Sequence, residues 1–321
     1  MKLLTNIARV LVAITFIFSG FVKLVDPIGS AIKFKEYFGE DVLNLPFLDP
    51  YALPFSIVLI LLELLLGVML LVGFKPKITV WATSLLLLVF LFLTWYSAYF
   101  NKVTDCGCFG DAVKLSPWGT FYKNIVLAVL LLLLLFNIKY IRPWFGKTAA
   151  LWVPFITLIG GLYISYYVLQ HLPIIDFRPF AIGESIPEGM QYVDGEDIPK
   201  IHDFFLENDT DDLTDTILQA PKVLLIIAYN LDESTLKGFE IIKPIAQKAI
   251  DKGYIVYTLS ASSMDEFNQL KEAYQLPFEM LYGDETMLKT IIRANPGAVT
   301  LKKGVVTGKW NWTDFDKIKL E

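Results

Sequence analysis

Apolar residues follow two rhythms along this chain. Up to about residue 170 they come in long runs; beyond it they come in short blocks separated by polar turns. A helix needs about 20 mostly apolar residues to cross a bilayer. Five stretches approach or exceed that length: 6–22 with an extension to 24, 51–73, 78–99, 119–138 and 151–169. Trp95, Tyr96, Trp118, Tyr122, Tyr140, Trp144 and Trp152 fall at their ends, as interfacial anchors do. In the connection 26–50, Ile28, Ile32, Tyr37 and Phe38 form one apolar stripe, which predicts a helix lying on the membrane surface.

The segment 171–200 is rich in Pro and Gly, lacks a helical period and reads as a linker or collar. After it the pattern alternates. Strands are expected at 201–206, 222–229, 254–260 and 278–282, and helices at 211–218, 235–251, 264–274 and 285–294. A hairpin of 298–301 and 305–310, turned by Lys303-Gly304, precedes a last helix at 313–319. The predicted fold class is therefore an α-helical membrane bundle followed by an α/β sandwich domain. Its parts are a four-span domain over 1–140, a fifth span over 141–170, the collar over 171–200 and the α/β domain over 201–321.

Composition agrees with the pattern. Of the 321 residues 55% are hydrophobic and 19% charged, with a mean hydropathy of +0.51, whereas a soluble domain carries about 25% charged residues. Most acids lie in 185–321. No Lys/Arg tract resembles a nucleic-acid footprint, so the expected partner is the lipid bilayer. The first apolar run is followed by Lys23 and Asp26 rather than a small-residue cleavage site, so it reads as a retained helix. Lys2, Lys75, Lys77, Lys139, Arg142 and Lys147 sit in the short, charge-dense connections on one side, which makes that side, with the N-terminus, the inner one. Five crossings then put the α/β domain on the outer, periplasmic face of a bacterial inner membrane, together with the loop between spans three and four.

That loop holds both cysteines of the chain, in Asp105-Cys106-Gly107-Cys108-Phe109-Gly110-Asp111. Extended, their Cα atoms lie at most about 7 Å apart, and a disulfide wants about 4.4–6.8 Å. The pair reads as a redox-active disulfide, as a static staple, or as two thiols for a soft metal ion. His171 and His202 are the only histidines and lie far apart in sequence, which argues against a zinc enzyme and leaves a Ser-His-Asp triad little histidine to work with. Glu63 lies mid-span, where an ionisable group is costly. It would relay protons or hold a quinone head group, or else make a structural hydrogen bond to Ser19 or Thr83. Arg9, Lys23 and Lys123, near span ends, are expected to snorkel to the interface. Asn124 is expected to cap or bridge helices. In the α/β domain, Asp232 or Ser234 is expected to cap the helix after the first central strand. The Asn295–Pro296 bond is a candidate for a cis peptide, with an ordinary trans turn as the alternative.

The run IARVLVAITFIFSGFVKLVDP, Glu63 followed by LLLGVMLLVG, the loop CGCFGD and YKNIVLAVLLLL together resemble the DoxX-like superfamily, and within it the MauE-type proteins of methylamine utilisation. The resemblance covers residues 1–140. It implies a four-helix bundle associated with disulfide formation or maturation of exported proteins, alongside a thioredoxin-like partner. Residues 200–321 resemble thioredoxin-like domains of the peroxiredoxin/TlpA branch through their strand order, the run YGDETMLKTIIRANPG and the hairpin KKGVVTGKW. Pro296 falls where that fold has its cis-proline. The Cys-x-x-Cys would fall near residues 230–234, and no cysteine is there. The resemblance thus implies a docking module without dithiol chemistry. Two functions follow. One is a membrane thiol–disulfide oxidoreductase component in which Cys106 and Cys108 exchange with a periplasmic dithiol protein, with a quinone as electron acceptor. The other is a non-enzymatic scaffold. A transporter ranks last, because no inverted repeat is visible.

Overall fold

A computed structural model describes residues 1–102, 107–113, 115–192 and 198–321. The chain divides into two compact units, Met1–Leu169 and Gln170–Glu321.

The first unit is built from α1 (Lys2–Val25), α2 (Pro27–Phe38), a 3-10 turn (Pro46–Tyr51), α3 (Ala52–Val72), α4 (Pro76–Phe100), α5 (Pro117–Phe136) and most of α6 (Gly146–Gln170). Proline at the first helical position starts α2, α4 and α5, where its missing N–H costs nothing. Side chains cap two of these: Asp26 accepts from the Gly29 N–H and Ser116 from the Gly119 N–H. Gly73, with φ of 77°, ends α3 in the left-handed region. Among the described residues, five helices are long and apolar enough to span a membrane: α1, the 3-10 turn with α3, α4, α5 and α6.

Helices α1 and α3 approach through glycine. A Cβ on Gly20 would lie 2.9 Å from the Leu64 backbone nitrogen, and one on Gly67 would lie 2.9 Å from the Ile17 nitrogen. Small residues at such crossings let backbones come close, which is how helices associate where no water drives them together. Arg9 does not snorkel. It is fully buried, and its guanidinium donates to the carbonyls of Leu70, Leu71 and Arg142 while stacking 4.3 Å from the Trp144 ring. The last carbonyls of a helix lack intrahelical donors, and Arg9 supplies them at the end of α3.

The second unit has the short helices α7 (Ile186–Gly189) and α8 (Thr214–Gln219), then β1 (Val223–Ile227), α9 (Leu236–Asp251), β2 (Ile255–Ser260), α10 (Met264–Tyr274), β3 (Glu279–Tyr282), α11 (Glu285–Ile291), β4 (Gly297–Lys302) and β5 (Val305–Asn311). A closing 3-10 stretch, Trp312–Lys317, stands where a helix over 313–319 is expected. The mixed sheet has the order β3-β2-β1-β4-β5. β1, β2 and β3 are parallel, and β4 and β5 are antiparallel additions. Parallel neighbours need crossovers, supplied by α9 and α10. β1 is buried along its whole length because both faces of the sheet are covered. Val223, Leu225 and Ile227 pack with α8 and α11; Leu224 and Ile226 pack with α9 and α10.

Two segments differ from the sequence pattern. Residues 201–206 form no strand, although Ile201, Phe204 and Leu206 are buried. The Leu206 N–H is taken by the Thr214 hydroxyl at 2.8 Å and its carbonyl by the Leu213 N–H, so local bonds replace a ladder. The segment 171–200 is not a free collar in its described part. Phe180 and Ile186 are buried in the sheet's core, and the Gly183 N–H donates to the Val306 carbonyl.

Candidate functional site

The described part of the loop between α4 and α5 is folded onto the last turns of α1. Gly107 and Gly110 adopt positive φ, and the Gly110 N–H closes a turn on the Gly107 carbonyl at 3.1 Å. The Ser19 hydroxyl donates to the Cys108 carbonyl at 2.6 Å. Phe109 packs edge-on against Phe18, with ring centroids 5.4 Å apart, and Lys123 of α5 lies 4.3 Å from the Phe109 ring. Cys108 is thereby fixed, half-buried, beside α1. Cys106 lies outside the described residues.

Glu63 is buried and pairs with Lys23, one turn beyond Gly20 on α1. The glycine crossing is what sets these two side chains opposite each other. Lys23 is not extended to the interface: its side chain is 11% exposed and its ammonium also lies 5.3 Å from the Phe90 ring. The two hydrogen-bond partners considered for Glu63 are engaged elsewhere. Ser19 serves Cys108, and Thr83 donates to the Thr79 carbonyl. Asn124 bridges α5 to α4 through the Thr94 hydroxyl at 3.3 Å.

Two cavities join these groups. One, of about 10 Å³, is lined by Ser19, Lys23, Glu63, Cys108, Lys123 and Asn124 among others. The second, of about 60 Å³, has Lys23, Lys33, Phe90, Thr94, Gly107 and Cys108 in its wall. A water needs about 10–15 Å³ by such a measure, and a ring the size of benzene takes about 150 Å³. These two cavities suit water, not a quinone head group. Among the described residues, no cluster of three or more His, Cys, Asp or Glu side chains comes together to hold a metal.

The lysines around Cys108 are what residue-by-residue reading of the sequence misses. Lys23, Lys33 and Lys123 come from α1, α2 and α5 and share cavity walls with it. Cationic neighbours favour a thiolate, the reactive form of cysteine.

In the second unit, the loop before α9 is closed by polar side chains. The Ser234 hydroxyl reaches the Asn230 carbonyl at 2.8 Å and Asn295 Oδ1 at 2.9 Å, and the Asn295 amide donates to the Asn230 carbonyl at 2.7 Å. The helix N-cap is Thr235, without a side-chain bond, rather than Asp232 or Ser234. The Asn295–Pro296 peptide bond is cis. Gly238 permits Pro296 to pack on the first turn of α9, since a Cβ there would lie 2.5 Å from the proline Cγ. Tyr229, at the end of β1, is pushed up to about 12 by burial, with Glu233 adding to it, and so stays neutral.

A bundle with five candidate spans, carrying a mixed α/β sheet domain, defines an integral membrane protein. Residues 1–137, which include α1 to α5, match the family described as methylamine utilisation protein MauE. The chain is also 33% identical over 131 residues to "Protein TlpB" of Flavobacterium psychrophilum. That stretch is 40% of this chain and 35% of the relative, so the match spans about a third of the relative's length.

Proposed function

We propose that this membrane protein belongs to the MauE family and supports thiol–disulfide exchange, and through it the maturation of exported proteins, by means of Cys106 and Cys108. The observation that carries the reading is the setting of Cys108: a half-buried sulfur residue anchored on α1, sharing cavities with three lysines. In the exchange, a thiolate of an exported dithiol protein attacks one sulfur of the Cys106–Cys108 disulfide and forms a mixed disulfide. The partner's second thiol then releases the pair. Two electrons and two protons pass to the cysteines, and the partner leaves oxidised. In this scheme the cysteine loop and the α/β domain lie on the periplasmic face, a reading supported by the basic inner connections and the odd number of spans.

The α/β domain then serves as the docking module. Its sheet order, cis Asn295–Pro296 bond and terminal hairpin support a thioredoxin-like reading. The loop 230–235 carries no cysteine, and Ser234, Asn230 and Asn295 bond across it. That closed loop also favours the second reading, a scaffold that grips an exported partner without chemistry.

One experiment separates the two. Thiols of the full chain in native membranes are alkylated before and after reduction, and mixed disulfides are captured in the parent, in Cys106→Ser, in Cys108→Ser and in a chain ending at Leu169. Exchange requires that the parent pair be found partly oxidised and that both cysteine variants lose turnover of the partner. Cysteine variants with unchanged partner oxidation, beside a truncation that loses the complex, would leave the scaffold standing.

A further inference from the structure

We propose that the Lys23–Glu63 ion pair tunes the sulfur of Cys108: Lys23 favours its thiolate and Glu63 restrains that effect. Both are then positioning residues for the exchange, and the inference rests on the thiol–disulfide reading above. The pair and Cys108 line the same water-sized cavity, and both members of the pair are nearly withdrawn from solvent. Charges in such surroundings are weakly screened and act over longer distances than in water. Ser19 lies one turn before Lys23 on α1 and holds the Cys108 backbone at 2.6 Å, so the ammonium and the sulfur residue are fixed to the same helix end.

Other charged groups also approach the loop. α2 brings Lys33, itself paired with Glu36, and α5 brings Lys123 over the Phe109 ring. From α4 only uncharged side chains, such as Thr94, line the two cavities. By sequence the loop itself carries Lys102, Asp105, Asp111 and Lys114. Among the described residues, Glu63 is the carboxylate that lines a cavity with Cys108, and Lys23 lines the same cavity.

The chemistry follows from the leaving group. When a partner thiolate attacks the Cys106 sulfur, a bond forms between those sulfurs and the Cys106–Cys108 bond breaks. The electron pair goes to the Cys108 sulfur, and a more stable thiolate leaves faster. Lys23 supplies that stabilisation. Glu63 limits it, so that the reduced pair keeps its nucleophilicity.

The test measures iodoacetamide alkylation of Cys108 against pH, in the full chain in membrane vesicles with Cys106→Ser as background. Lys23→Met raises the midpoint by about one pH unit and Glu63→Gln lowers it by a similar amount. The double variant falls between them, and Lys23→Arg restores the parent profile. Opposite signs are the signature, because a merely structural pair would move both singles the same way or neither. Such a result overturns the proposal. Each single variant leaves a buried charge without its partner and risks misfolding; the double variant removes both charges and serves as the folded reference, and either single that folds decides the matter by the sign of its shift. Alkylation needs no partner protein, so the shifts stand or fall separately from exchange itself.

Discussion

The membrane bundle and the α/β domain both bury charge, and they balance it differently. In the bundle Lys23 pairs with the carboxylate of Glu63, whereas the Arg9 guanidinium is answered by carbonyls at a helix end. In the domain, Asp176 stands between two buried cations. Arg178 binds it with Nε at 2.7 Å, and Lys309 of β5 binds it at 2.6 Å while also donating to the Phe180 carbonyl. Burial alone would raise the Asp176 carboxyl, but Arg178 and Lys309 together hold it below its ordinary value. In the bundle one matched pair, Lys23 with Glu63, lies beside a candidate reactive sulfur. The domain uses an excess of positive charge to fasten the chain leaving the last span to the sheet.

The largest effect is expected where that excess loses its anion. Asp176→Asn leaves Arg178 and Lys309 buried without a counter-charge and should cost about 3–5 kcal/mol. Limited proteolysis of the full chain in detergent should show new cleavage beyond Leu169, with α1 to α5 still protected. Unchanged protection would mean that the two cations find other partners. The corresponding strike at the bundle is Gly20→Val. Its Cβ would press on the Leu64 backbone at 2.9 Å, so α1 and α3 must part. The expected loss is about 1–3 kcal/mol, read as a lower thermal midpoint in detergent with the α/β domain's protease resistance intact.

Length and hydropathy disclose the five spans, because lipid demands a continuous apolar surface and allows little else. The alternation after residue 220 likewise discloses β1 to β5 and their helices. The failures have physical causes. Residues 201–206 have a strand's buried apolar positions, but Thr214 takes the Leu206 N–H, and composition does not show that competition. Arg9 and Lys23 lie near span ends, which suggests snorkelling. Yet both fall on the stripe of Val12, Ala13, Phe16, Ser19 and Gly20 that α1 turns inward, at spacings of three and four. Helical period therefore outweighs proximity to the interface, and was the available signal. The approach of Cys108 to α1 depends on Ser19, 89 positions away. No local pattern carries a contact of that range.

The smallest effect separates the two cations of Asp176. Lys309 is held down to about 8, first by burial and then by Arg178, with Asp176 pulling the other way. An unfolded lysine titrates near 10.4. Between about pH 8 and 10.4 the unfolded chain therefore keeps a proton that the folded chain has released, and stability rises with pH across that window. Lys309→Met removes the rise. It also leaves Asp176 and Arg178 matched one to one, so at neutral pH the change should stay within about 1 kcal/mol of the parent. Chemical unfolding of the two proteins at pH 7 and pH 9.5 measures both quantities. A loss at pH 7 as large as that of Asp176→Asn would mean that Lys309 is the indispensable partner of Asp176. The domain's balance would then be one to one, like that of Lys23 and Glu63, with Arg178 as the surplus charge.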